Sequence, residues 1–201
     1  MSRTGRDSRL IDALEALPAR RLTETVWRVV RDGRDPCNCN ASGGRWDDET
    51  FDVLYTSRER DGAIAEMFFH LRRGQPLIPS RVHYRLHELR IELKSAIDLS
   101  DRAKLAALGV DMSLFGQLSY EERASEYPRT QDVAEISHFL DHAGIVVPNA
   151  RWDCANVVIF CDRTAPGAVE AIKDHGPIDW DDWAIQNMGK VTRWPALSPK
   201  R

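Results

Sequence analysis

The sequence predicts a single α+β domain, a central β-sheet flanked by helices. Two observations predict it. Short β-branched and aromatic runs at residues 25–30 (TVWRVV), 51–56 (FDVLYT), 145–148 and 156–160 are bounded by turn-forming residues, as strands are. Between them lie segments near 8–17, 57–72 and 130–144 whose apolar residues recur at helical spacing. A chain of 201 residues suits one such domain.

Composition narrows the function classes. Hydrophobic residues make up 42% and charged residues 29%, ordinary for a globular protein. A net charge of -3 argues against a nucleic-acid surface spread over the whole molecule. Arg3, Arg6, Arg9, Arg20 and Arg21 read as a solvated face. Charge, not an apolar run, follows Met1, and the apolar runs near 145–147 and 157–161 are far too short to span a bilayer. The expected location is the cytoplasm, where cysteines stay reduced. Cys37 and Cys39 are spaced Cys-x-Cys, with Cys154 and Cys161 far downstream. That is not zinc spacing, so all four are expected reduced and unliganded, with no metal.

In chain order, 8–17 reads as a helix capped by Ser8, with Leu10, Ile11, Leu14 and Leu17 inward and Pro18 as its stop. Arg28 sits inside the strand at 25–30; it meets solvent, an internal salt bridge or a bound anion, because unpaired burial is costly. Residues 32–44 form a loop rich in Gly, Asp, Asn, Ser and Pro. Ser57 can cap a helix to about Arg72 whose inner stripe is Ile64, Met67, Phe68 and Leu71. At 100° per residue, Glu66 falls on the other side, with Glu59, Ala63 and His70. After a proline-containing loop at 74–79, residues 81–97 alternate like strand with a phase slip near His87-Glu88, which predicts a bulge or two successive strands. Ser100 caps a short helix stopped by Gly109, and 111–129 reads as irregular, ending at Tyr127-Pro128. Thr130 is the expected cap of a helix with Val133, Ile136, Ser137 and Leu140 inward and Gly144 as its end. His138 and His142 have ligand spacing but lack the glutamate of a zinc protease motif, so they read as surface histidines. The tail from Thr164 holds Trp180, Trp183 and Trp194, and Asp179 can cap a short helix there.

The stretch 41–66 concentrates the chemistry. Ser42-Gly43-Gly44 delivers Arg45, Tyr55 ends a strand, and Glu66 follows on the next helix. A glycine loop can offer backbone N–H groups and an arginine to phosphate oxygens. A tyrosine can bracket a flat ring or pack in the core. A carboxylate suits a sugar cation, or is a solvated glutamate. Together they suit a ligand with a pyrophosphate, a flat ring and a sugar.

An ordered set of segments carries a resemblance. They are Trp27-Arg28-Val29, Gly43-Gly44-Arg45-Trp46, Leu54-Tyr55-Thr56-Ser57, Ala63-Ile64-Ala65-Glu66, Tyr127-Pro128-x-Thr130-Gln131, and Val146-Val147-Pro148-Asn149-Ala150-Arg151 followed by Asn156-Val157-Val158-Ile159-Phe160. Over residues 20–162 the chain resembles the RES-domain family. The resemblance implies an ADP-ribosyltransferase-like fold with a split central sheet. It implies a catalytic domain over 1–162 and leaves 163–201 as a tryptophan-containing extension packed on it. It implies a bacterial toxin of a toxin–antitoxin pair that cleaves the nicotinamide–ribose bond of NAD by phosphorolysis or hydrolysis. The alternatives are a protein mono-ADP-ribosyltransferase with the same site and a non-catalytic NAD- or partner-binding module. A metal-dependent hydrolase using His138, His142 and the cysteines is the weakest option.

By position, Arg28 and Glu66 resemble the family's arginine and glutamate. The family's serine, in Pro-Ser-Ala-Arg, is Asn149 here, and Asp47 stands where the family commonly has asparagine. The implied roles are Glu66 against an oxocarbenium-like state, Arg28 and Arg45 on the pyrophosphate, Tyr55 against nicotinamide, and Asn149 and Asn156 on amide or ribose. NAD is then substrate, with inorganic phosphate a candidate acceptor and no prosthetic group. A cognate Xre-type antitoxin is the implied partner, with a target protein and a homodimer also allowed; no membrane or direct nucleic-acid contact is expected.

Overall fold

The computed structural model describes residues 5–72, 83–116, 123–187 and 189–190. The expected loop at 74–79 and Trp194 lie outside these residues. In chain order the elements are α1 (Ser8–Glu15), β1 (Ala19–Arg31), β2 (Val53–Ser57), α2 (Arg60–Arg72), β3 (Tyr84–Asp98), α3 (Arg102–Ala107), α4 (Arg123–Phe139), β4 (Gly144–Pro148), β5 (Ala155–Phe160), β6 (Val169–Pro177) and α5 (Trp180–Asn187).

The sheet is mixed and folds back on itself, in the order β1-β2-β5-β4-β3-β6 with a further β1–β3 pairing. One half is the antiparallel set β1, β3 and β6; the other is the antiparallel set β2, β5 and β4. Two short seams join them: a parallel run from Ala96↔Gly144 to Asp98↔Val146, and the pair Trp27↔Ser57. The strands of the second half are buried on both faces, which is why they read as continuous apolar runs. Val53, Ile145, Val147, Val158 and Phe160 face α1, α3 and α4, together with Leu10, Leu14, Leu105, Val133 and Ile136. Their alternates Leu54, Val146, Val157 and Ile159 meet Val26, Leu89, Ile91 and Leu93 of the first half. A third cluster packs α2 and α5 on β1 and β3, through Ile64, Phe68, Trp183, Val29 and Leu86.

The phase slip at His87-Glu88 has a structural counterpart. Leu86 joins the α2–α5 cluster, whereas Leu89, Ile91 and Leu93 enter the space between the halves. β3 is one strand throughout, and its register with β6 shifts between Arg85 and His87 and between Glu88 and Leu89.

Several expectations need correction. α1 and α3 are capped one residue away from the expected serines: Asp7 accepts Arg9 and Leu10 N–H, and Asp101 accepts Ala103 N–H. α4 begins at Arg123, not after Thr130, and carries Pro128 inside. Proline biases its predecessor away from helix, hence the misplaced boundary; Thr130 Oγ1 instead donates to the Tyr127 carbonyl at 3.0 Å. The segment after Thr164 contributes β6, paired to β3, so it is part of the sheet. Its alternation is weak because the strand lies at the edge and is mostly exposed. Asp179 does cap α5, accepting Asp182 N–H at 3.0 Å, and Trp180 and Trp183 pack on Phe68 of α2.

His138 and His142 are half-buried, not surface, residues. His138 stacks on Phe51 at 4.5 Å and bonds Asp162, while His142 Nδ1 meets Ser95 Oγ at 2.8 Å. The cysteines also depart from expectation, for Cys39 and Cys161 form a disulfide while Cys37 and Cys154 are free. Pairing brings the two together: Asn40 bridges Val53, and Val53 pairs with Phe160. The residues flanking these partners, 122 apart in sequence, are therefore neighbours in space.

Candidate active site

Arg45 is delivered by a turn that a buried carboxylate builds. Asp47 is 0% exposed. It accepts the Gly43 N–H at 2.7 Å and the Gly44 N–H at 2.8 Å. Tyr55 Oη donates to Asp47 Oδ2 at 2.8 Å and accepts the Trp46 N–H at 3.0 Å. Gln131 Nε2 donates to the carbonyls of Gly44 and Asp47, both at 2.9 Å. Three donors converge on one carboxylate, a set that an amide could not accept in full. Glycine at 44 is required by space: a Cβ there would lie 2.5 Å from Tyr55 Oη and 2.7 Å from Asp47 Oδ2. The N–H groups of Gly43 and Gly44, expected to face phosphate, are thus occupied by Asp47. Tyr55 braces this turn and packs its ring against the α1–α3–α4 core. Burial and the neighbouring Asp47 charge hold its phenol well above the ordinary value, so it stays a donor.

Glu66 lies on α2 away from the Ile64–Phe68 stripe, on a side that the turn after β4 covers. Its Oε1 accepts the Ala150 N–H at 2.9 Å and Asn156 Nδ2 at 3.4 Å. Asn156 is oriented in turn by Asn149, whose Nδ2 donates to Asn156 Oδ1 at 2.8 Å and to the Gly62 carbonyl at 3.2 Å. Asn149 Oδ1 accepts the N–H groups of Arg151 at 2.7 Å and Trp152 at 2.9 Å. Both donors and both lone pairs of the amide are therefore used, and the residue is 1% exposed. Asparagine at this position closes the 149–152 turn and aims Asn156 at Glu66. Gly62 lets α2 come this close, since a Cβ there would sit 2.5 Å from Cys154 Sγ and Ser57 Oγ.

Three arginines are in different states, and two of them, Arg45 and Arg151, feel the charge of Glu66. Half-buried Arg28 donates from Nη1 to the carbonyls of Pro36 at 2.7 Å and Asn38 at 2.9 Å, binding the 32–44 loop to β1. Burial pushes its guanidinium down to about 10, against the opposing charges of Cys37 and Asp35. Arg45 pairs with Glu126 at 2.6 Å, with side chains 13% and 2% exposed. Burial opposes its charge, but the bond and charge of Glu126, helped by Glu66, raise it above the ordinary value. Arg151, 4% exposed, lies over the Phe69 ring at 3.2 Å from its centroid, and its Nη1 donates to the Gly116 carbonyl. Burial pushes it down to about 10, with the Glu66 charge opposing. The Gly116 N–H donates to Glu126 at 3.0 Å, so one peptide segment steadies the partners of both Arg45 and Arg151.

The structure thus links Asn149 through Asn156 to Glu66, sets Arg45 within the field of Glu66, and seats Tyr55 under the Arg45 turn. Arg28 makes no hydrogen bond with the other five among the described residues. Asp47, Glu126, Gln131 and Arg151 build the site, yet sequence reasoning gave them no role. Asp47 and Gln131 stood inside quoted motifs, which was a usable signal. Glu126 had none, because its partner is 81 residues away.

Residues 25–181 match the RES domain, a span that includes β6. No curated protein matches the chain. Among solved structures, a chain of the crystal structure of the M. tuberculosis MbcT–MbcA toxin–antitoxin complex is similar. The TM-score is 0.73 over 89% of this chain and 97% of that one, at 19% identity. At that identity the likeness speaks to fold, and it agrees with the expected α+β, ADP-ribosyltransferase-like architecture. The domain match, running from β1 through β6 and carrying the Arg45 turn and Glu66 of α2, makes this chain a member of the RES-domain family.

Proposed function

We propose that this protein is the toxin of a toxin–antitoxin pair and cleaves the nicotinamide–ribose bond of NAD in the cytoplasm. The observation that carries the reading is the state of Glu66. Both of its hydrogen bonds fall on Oε1, which leaves Oε2 without one among the described residues. A carboxylate pinned by one oxygen is preorganised to face an oxocarbenium-like ribose or a ribose hydroxyl with the other. Cations flank it, as a dinucleotide's pyrophosphate requires: Arg45 and Arg151 share its field. In this reading the positive field of Arg45 draws the pyrophosphate toward Glu66, Arg28 holds the 32–44 loop, Tyr55 holds the turn beside the nicotinamide, and Asn156 keeps Glu66 aimed. Asn149 acts through Asn156. Membership of the family and the fold shared with a chain of a toxin–antitoxin complex support a cognate antitoxin, of the Xre type, as partner.

The test is NAD turnover by the purified protein with and without phosphate, products resolved by mass. ADP-ribose-1″-phosphate formed only with phosphate identifies a phosphorylase, and ADP-ribose in both identifies a hydrolase. Glu66→Gln is expected to lower kcat by about 100-fold or more, the scale for loss of a transition-state electrostatic group. Equal turnover by the variant removes Glu66 from the chemistry. NAD binding without turnover turns the search to a protein acceptor.

A further inference from the structure

We propose that Arg151 binds a phosphoryl group of the ligand beside Glu66. The inference rests on the reading of the site as one for NAD, and names the arginine whose charge is left for the anion. Arg45 already spends its fork on the Glu126 carboxylate. Arg28 spends Nη1 on two loop carbonyls. Arg151 differs: among the described residues its guanidinium makes one hydrogen bond, to the Gly116 carbonyl, and its buried Nε makes none.

A guanidinium carries five N–H donors, and a buried donor without a partner costs stability. Such a cost is compatible with a site whose ligand supplies the missing acceptor. The setting is also rigid. Phe69 covers one face of the guanidinium, Gly116 anchors one end, and the backbone N–H of Arg151 is held by Asn149. The preceding N–H, of Ala150, holds Glu66. One turn therefore holds a carboxylate and carries a guanidinium with a donor unpartnered among the described residues, which suits a phosphoryl oxygen next to a sugar cation. That oxygen has two sources, the pyrophosphate of the dinucleotide or free inorganic phosphate.

Calorimetric titration of the full chain with inorganic phosphate, and separately with ADP-ribose, distinguishes them. Arg151→Gln removes the charge; Arg151→Lys keeps it without the planar fork. The expected result is a weakening by Arg151→Gln of about 10- to 100-fold for at least one ligand, and less for Arg151→Lys. A loss confined to phosphate assigns the residue to the acceptor, and a loss for ADP-ribose assigns it to the pyrophosphate. Unchanged affinity for both, in an Arg151→Gln variant with the wild-type circular dichroism and unfolding midpoint, overturns the proposal. So does a wild-type protein that binds neither ligand at millimolar concentration. Should Arg151→Gln not fold, Arg151→Lys and Phe69→Leu decide, and wild-type affinity for both ligands in both variants overturns it. Titration reads binding, so anion capture through Arg151 without NAD turnover keeps this inference and removes the NAD-cleaving reading.

Discussion

Exchange of Asn149 for aspartate changes one atom group and no shape, and it isolates the network behind Glu66. The Oδ1 contacts to the Arg151 and Trp152 N–H groups survive, since a carboxylate accepts them as well. The two donations do not. The new oxygen would face the Gly62 carbonyl, now 3.2 Å from Nδ2, and Asn156 Oδ1, now 2.8 Å away. Losing two hydrogen bonds costs about 1–3 kcal/mol, and an acceptor facing two acceptors at a site 1% exposed adds a burial penalty of similar size. The sum, about 2–6 kcal/mol, is a large part of the 5–15 kcal/mol typical of a domain, and at 2–4 °C per kcal/mol its middle value lowers Tm by roughly 10 °C. Asn156 can relieve the clash only by turning its amide, which points Oδ1 at the Glu66 carboxylate and repels it. Activity is therefore lost in the fraction that stays folded. Protonation of the new carboxyl restores one donor, so the deficit shrinks as pH falls toward 5. Urea denaturation at pH 7.5 and 5 reads both effects. A loss under about 1 kcal/mol with no pH dependence would refute the network's role.

Three further outcomes follow from the geometry. Maleimide should label two thiols before reduction and four after it, and reduction or Cys39→Ser should cost about 2–5 kcal/mol, near the top of that range because the closed loop spans 122 residues. Arg45→Met leaves Glu126, 6% exposed, with the Gly116 N–H as its remaining hydrogen-bond partner among the described residues; about 3–5 kcal/mol should be lost, and adding Glu126→Gln should recover part of it in a double-mutant cycle. His142 is held below its ordinary value by burial, against the Asp141 charge. Folding favours its neutral ring, so the stability it contributes is present above about pH 6.5 and is lost as pH falls below it, at up to about 1.4 kcal/mol per unit. Urea midpoints at pH 7.5 and 5.5 should differ less for His142→Asn than for wild type, although His87, also lowered by burial, keeps a slope of the same sign.

Much of the fold was legible because its signals are local. The runs at 53–55, 145–148 and 157–160 are apolar without alternation, and each lies in a strand buried on both faces. The slip at His87-Glu88 marked where β3 changes the cluster it serves. The misplaced start of α4 came from a local rule, proline after Tyr127, that tertiary packing overrides. β6 was missed because an exposed edge strand needs no apolar alternation.

The sequence by itself determined which residue types would be available for the chemistry: a glycine pair before Arg45, Tyr55 at a strand end, Glu66 on a helix and Asn149 in a turn. Helical and strand periods, glycine and side-chain donors are properties of a few neighbouring residues, so the sequence carries them. Only the tertiary structure decided how those groups are spent. Asp47 takes the glycine N–H groups, Glu126 takes Arg45, and Asn149 is consumed by its own turn and by Gly62 and Asn156, while Arg151 keeps an Nε donor unpartnered among the described residues. The reason is physical: even the local turns are set by distant contacts, for Arg45 meets Glu126 81 residues away, Asn149 donates to the Gly62 carbonyl 87 away, and Gln131 holds the Gly44 carbonyl 87 away. Chain closure, not local pattern, brings them within hydrogen-bond reach.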